Sequence, residues 1–173
     1  VEGVSSAGIR IAGDANIAWP DTLTVAGYTL YADGLAGRLA NVQVGGTTAG
    51  SISHPDNFRS PIYRLNLSLS GNLTVETNGQ INVQGRGFFQ KAGPGAGLSG
   101  YDSAGYGGLG AAEDDTLSCF TYGSWLTPTN LGSGGSEAAG GGSIVLTVAG
   151  TTTVKSNGLV SAKGNGRRGS GSG

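Results

Sequence analysis

Few of the 173 residues are of types that do chemistry, and they are scattered. The chain has one His, His54, and one Cys, Cys119. Zinc is held by several Cys and His ligands, so a site of the usual ligands cannot be built from this pair. A Ser-His-Asp triad would need a nucleophile beside His54, and no G-x-S-x-G elbow occurs. His54-Pro55-Asp56 reads instead as a turn begun by Pro55. Gly105-Tyr106-Gly107-Gly108-Leu109-Gly110 fits G-x-G-x-x-G. That motif signifies dinucleotide binding only between a strand and a helix. Here Gly-rich sequence flanks it on both sides, and the match is of the kind chance supplies. No catalytic residue is assigned.

The densest group of acids is Glu113-Asp114-Asp115, with Asp102 near in sequence. Adjacent carboxylates repel unless they are solvated or bound to a cation. Ca²⁺ accepts six to eight oxygens, carboxylate and carbonyl alike, so these four residues form the candidate metal set. Neither EF-hand spacing nor the G-G-x-G-x-D repeat is present. No other cofactor is implied, and a solvated loop is the plainer reading. A polysaccharide lyase would need carboxylates holding Ca²⁺ and a basic residue beside the uronate. Arg64, Arg86, Lys91 and Glu76 are placed for that, but solvent-facing strand residues alternate in the same way. Aromatic residues offer a stronger lead. Tyr101, Tyr106, Tyr122 and Trp125 could form a platform on which sugar rings stack, or could anchor a loop. Asn66-Leu67-Ser68 and Asn72-Leu73-Thr74 fit the N-glycosylation sequon on outward strand positions.

Composition narrows the class. There are 35 Gly and no Met, charged residues are 12%, and the net charge is −1. Typical charged content is about 25%. A nucleic-acid partner needs a basic face, and Arg167-Arg168 in a Gly/Ser tail is the only basic pair. No apolar run approaches the ~18 residues of a membrane span. No charged-then-apolar leader opens the chain, which is expected of a mature or excised segment. Cys119 cannot form an intrachain disulfide; the first expectation is a buried small apolar residue, with a free thiol or an intermolecular link behind it.

Those residues must be positioned by elements, and a repeat reveals the elements. Residues 64–87 align with residues 143–166 at a shift of 79 positions. Gly71 falls on Gly150, Val75 on Val154, Asn78 on Asn157, Gly79 on Gly158 and Gly85 on Gly164. Each copy reads as three short strands: Leu65-Leu67-Leu69 alternating with polar residues, then Leu73-Thr74-Val75, then Gln80 to Gln84. Ser70-Gly71-Asn72 and Thr77-Asn78-Gly79 make the corners. Shorter β-like runs precede them: Ile9–Ile11, Thr22–Val25, Tyr28–Tyr31 and Asn41–Val44. No window keeps a period near 3.6, so almost no helix is expected. About 20 residues in three strands is the length of one coil of a parallel β-helix. A meander or sandwich is the competing reading, because Asn-Gly also signals a hairpin.

The run from Leu73 to Gly166 resembles a Gly-rich parallel β-helix repeat family of large secreted and surface proteins, adhesin-like in character. The resemblance rests on Leu73-Thr74-Val75, Ile81-x-Val83-x-Gly85-x-Gly87, Tyr122-Gly123-Ser124 with Pro128, Leu131 to Gly135, and Gly140 to Val148. It covers somewhat over half the chain, and residues 1 to about 60 match less well. Glu113-Asp114-Asp115-Thr116 departs from the small-residue pattern. The resemblance implies a scaffold of adhesive or structural use, with no active site.

The expected fold is therefore all-β, a right-handed parallel β-helix-like repeat scaffold with a long Gly-rich loop insertion, about 86–142, laid on it. Residues 1–173 form one domain in this reading, or a segment of a longer chain. The expected function is a non-catalytic structural or adhesive module, extracellular or at the cell surface, self-assembling into a fibre or layer. Its partners are copies of itself or neighbouring repeats, with no nucleic acid and no membrane span. Two other classes stay open: a carbohydrate-binding module using the Tyr/Trp residues with a polysaccharide partner, and a polysaccharide lyase or hydrolase. The Gly169–Gly173 tail, GSGSG, is flexible by composition, and in the fibre reading it is the joint.

Overall fold

A computed structural model describes residues 2–4, 8–12, 20–33, 39–112, 119–166 and 171. Among these residues there is no helix, and the structure is all-β with parallel strands. Twelve strands occur in chain order: β1 (Glu2–Val4), β2 (Gly8–Ala12), β3 (Thr22–Val25), β4 (Thr29–Asp33), β5 (Asn41–Val44), β6 (Gly50–Ser53), β7 (Leu65–Leu69), β8 (Leu73–Val75), β9 (Gly79–Asn82), β10 (Ile144–Val148), β11 (Thr152–Val154) and β12 (Leu159–Ser161). None exceeds five residues. Gly, Asn and Ser punctuate them at positions where longer strands would need β-branched residues.

The strands form three sheets, ordered β1-β2-β4-β6-β9-β12, β3-β5-β8-β11 and β7-β10. The β1–β2 pair is antiparallel. The other registered pairs are parallel. The chain visits the three sheets in the same order in successive passes, β7, β8, β9 and then β10, β11, β12. The repeat seen in the sequence is also the pairing register, with Leu73 opposite Thr152, Val75 opposite Val154 and Ile81 opposite Val160. Earlier passes fall on the same columns, Val25 beside Val44 beside Val75.

Two compact units result, the first Val1–His54, Leu65–Asn82 and Val145–Ser161, the second Pro55–Arg64, Val83–Ile144 and Ala162–Gly173. The first holds the stacked strands. Its inward residues are Val25, Leu30, Val42, Val44, Ile52, Leu67, Leu73, Val75 and Ile81, all buried. Strands buried on one face and alternating with polar positions read as Leu-Asn-Leu-Ser-Leu in β7. Corners are tied from one pass of the chain to the next. The N–H groups of Gly45, Glu76 and Lys155 donate to the carbonyls of Val25, Val44 and Val75, at 2.9, 2.8 and 2.9 Å. Asn41 Oδ1 accepts the Asn72 N–H, and Asn72 Oδ1 accepts the Thr151 N–H, both at 2.8 Å. Gly79 is forced by close approach, since a Cβ there would overlap the Val44 carbonyl oxygen.

The second unit contains the segment expected as an insertion, 86–142. Its described residues are joined by backbone hydrogen bonds between separate Gly-rich stretches: Gly87 N–H to Gly140 O at 2.8 Å, Gly132 N–H to Gly141 O at 2.8 Å, and Gly97 N–H to Gly134 O at 3.1 Å. Phe88, Ala92 and Leu131 form a buried apolar cluster. With so few large side chains, the unit satisfies its buried backbone by pairing stretches whose missing Cβ atoms let them approach.

Candidate functional site

The final pass, β10–β12, is where the first unit leaves apolar strand positions exposed. In the preceding pass, Val75 and Ile81 are 0% exposed. Their register partners Val154 and Val160 are 48% and 42% exposed. The burial patterns agree along whole strands: β8 is buried at both apolar positions, while all of β11 is exposed. β10, β11 and β12 each stand at the edge of their sheet. An edge strand offers a row of unpaired N–H and C=O groups, a template for another strand. The opposite edge of the large sheet is different in kind, because β1 runs antiparallel to β2.

The aromatic candidates separate into two kinds. Tyr106 and Tyr122 come together edge to face, with ring centroids 4.9 Å apart and an interplanar angle of 70°. The Tyr122 hydroxyl donates to the Leu131 carbonyl at 2.6 Å, and the Tyr106 hydroxyl accepts the Asn130 N–H at 3.2 Å. Both polar tips are thus used within their own unit, which ties the 120s to residues 130–131. Trp125 is 75% exposed and Tyr101 sits partly exposed, so these two keep an open surface.

Of the acidic candidates, Asp102 is fully buried, and its Oδ2 accepts the Ser99 N–H at 3.3 Å. Glu113, Asp114 and Asp115 lie outside the described residues, as do Arg167, Arg168 and most of the GSGSG tail. Among the described residues no group of three or more His, Cys, Asp or Glu converges. His54 follows β6 directly and is completely buried. The Cys119 side chain is buried, with Sγ 3.7 Å from the Gly110 carbonyl oxygen. Of the lyase candidates, Glu76 pairs with Lys155 at 2.8 Å and Arg86 with Asp56 at 2.7 Å.

A site the sequence did not mark lies in the second unit. Phe58 and Phe89 stack with centroids 4.8 Å apart at 26°, and both remain open to solvent. They line a pocket of about 420 Å³ together with Asp56, Gln84, Arg86 and Asn165. The one signal was two aromatics, Phe58 and Phe89, standing beside polar and Gly-rich sequence where neither strand pattern needs them. In the first unit, a shallow pocket of about 320 Å³ is lined by Tyr28, Thr29, Ser51, Asn78 and Gln80. Burial pushes the Tyr28 phenol pKa up, and its hydroxyl donates to the Thr24 carbonyl at 3.1 Å.

Compared with known proteins, the chain matches no family model, no curated protein and no solved structure.

Proposed function

We propose that the chain is a right-handed parallel β-helix acting as a non-catalytic structural or adhesive module, extracellular or at a cell surface. In this reading it assembles by stacking a second copy on the β10–β12 coil. The observation that carries it is the contrast between Val75 and Ile81, fully buried, and Val154 and Val160, nearly half exposed at the same register positions. Inward-facing apolar residues left open at the end of a repeat stack are what a further coil would cover. Repeats that cannot bury their faces alone need a neighbour or a polar cap. The exposed Leu159, next to Val160 on the edge strand, adds apolar surface to that edge. The column of Val, Gly and corner N–H contacts repeats with the same partners in each pass, so an added coil would meet an interface of known chemistry.

The test is mass in solution over a range of concentration, with electron microscopy of the same samples. The expected result is mass rising in whole subunits, with stacked or filamentous particles. The double substitution Val154→Lys and Val160→Lys puts charge on the stacking surface and is expected to leave a monomer. A wild-type monomer at every concentration overturns the assembly reading.

A further inference from the structure

The Phe58–Phe89 pocket has the makings of a ligand site, independent of how the coils stack. Its frame is built from two short segments fastened to each other. The Asn57 N–H and the Asn57 Nδ2 group both donate to the Arg86 carbonyl, at 3.4 and 3.0 Å. The Phe89 N–H donates to the Phe58 carbonyl at 2.8 Å. Asn57 Oδ1 in turn accepts the N–H groups of Ile62 and Tyr63, each at 2.8 Å, so a buried amide fixes the 57–63 stretch from inside. A wall held by this many bonds is organised before any ligand arrives, which removes part of the ordering cost of binding.

The side chains on that frame are of two chemistries. Phe58 and Phe89 are 61% and 41% exposed, although two stacked rings would ordinarily be buried. The Arg59 guanidinium carbon lies 5.9 Å from the Phe58 ring centroid. Beside the rings stand Asp56 and Arg86, joined at 2.7 Å, with Gln84 and Asn165. These are planar groups that accept or donate at two points, and a sugar hydroxyl both donates and accepts. The Asn165 carboxamide lies against Gly85, which has a φ of 66° and no Cβ to displace it. The ion pair cancels its own charge, so the polar side chains that line the wall offer hydrogen bonds with no net charge among them. The neighbouring pocket of about 400 Å³ differs on this point, since the charged side chains among its described lining residues are Arg59 and Lys91. A volume of about 420 Å³ falls in the range of small-molecule sites.

We propose that the pocket walled by Asp56, Phe58, Gln84, Arg86, Phe89 and Asn165 binds a neutral saccharide, ring face on the aromatic pair and hydroxyls on the amides and the ion pair.

The experiment is a ¹H–¹⁵N chemical-shift titration of the full chain with cellotriose, maltotriose, xylotriose and triacetylchitotriose, and with trigalacturonate as the acidic probe. At least one neutral trisaccharide is expected to shift the amides of Asp56–Phe58 and Gln84–Phe89 with millimolar affinity. Phe89→Ala and Asp56→Asn, both at exposed side chains, are expected to weaken that binding by about tenfold or more with the circular dichroism unchanged. No shift with any neutral probe overturns the proposal. So does binding that both variants leave intact, or shifts from trigalacturonate alone centred on Arg59 and Lys91. An aromatic patch that instead mediates association of copies would show Phe89→Ala lowering the mass without any sugar effect, and this too overturns it.

Discussion

The pass β7–β9 and the pass β10–β12 carry one sequence pattern and have two fates. Their local geometry is the same. Asn78 and Asn157 both sit at φ 63°, and in each corner the Gly N–H closes onto the residue three earlier, Gly79 to Glu76 at 2.8 Å and Gly158 to Lys155 at 2.9 Å. Burial is what differs, complete at Val75 and Ile81 and about half at Val154 and Val160. Corner conformation is therefore written within each copy, because Asn and Gly tolerate positive φ wherever they stand. Burial depends on neighbours: it is complete at Val75 and Ile81, in β8 and β9 with strands on both sides, and about half at Val154 and Val160, in β11 and β12 at their sheet edges.

The largest expected effect follows from that difference. Ile81→Ala removes a fully buried side chain between two coils and is expected to cost about 4 kcal/mol in urea unfolding. Val160→Ala, at the same register position, is expected to cost less than about 1 kcal/mol in the monomer. Hydrogen exchange should show the same gradient, with β12 amides opening before those of β9. Equal losses at the two sites would break the comparison and show that the last coil is already covered.

A smaller contrast is expected at the corner glycines. A Cβ on Gly79 would run into the Val44 carbonyl oxygen, whereas one on Gly158 would stand 2.9 Å from the Val75 carbonyl oxygen. Backbone cannot swing aside as a side chain can. Gly79→Ala is expected to cost about 3 kcal/mol, and Gly158→Ala about 1 kcal/mol, since an edge coil can shift outward. Thermal unfolding of the two single variants checks this, and a reversed order would mean that the edge coil is the more rigid of the two.

Much of this architecture was legible in the sequence. The shift that aligns residues 64–87 with 143–166 is the register of β8 with β11 and β9 with β12. The short runs at Ile9, Thr22, Tyr28 and Asn41 fall on β2 to β5. What stayed hidden was the kinship of those early passes with the repeat. The corner after Val44 runs from Gly45 to Ala49, while the corner after Val75 runs from Glu76 to Asn78, and the extra residues break a fixed-shift alignment. β6, Gly-Ser-Ile-Ser, has too little apolar or β-branched content to announce a strand. At the sites, the aromatics of the Gly-rich segment were visible as a group. Which two would pair was not, because Tyr106 and Tyr122 are joined by packing and backbone bonds that no local pattern encodes. Phe58 and Phe89 are further apart in sequence still, and their pairing depends on Asn57 folding 57–63 onto Arg86.

The smallest effect concerns a charge rather than a volume. Glu76 and Lys155 are equivalent positions in the two copies, so stacking sets an acid beside a base, 2.8 Å apart. Lys155 is half exposed, and water and the entropy of a long side chain discount such a pair heavily. Lys155→Ala is expected to cost about 0.5 kcal/mol at low salt and close to nothing at about 1 M salt, where exposed charges are screened. Lys155→Glu sets like charges at that position and should cost more than the alanine change, again only at low salt. Parallel unfolding curves at the two salt concentrations decide the matter. A salt-insensitive loss larger than that of Val160→Ala would mean that the edge coil is held on by its charges, and burial would no longer be what separates the two copies.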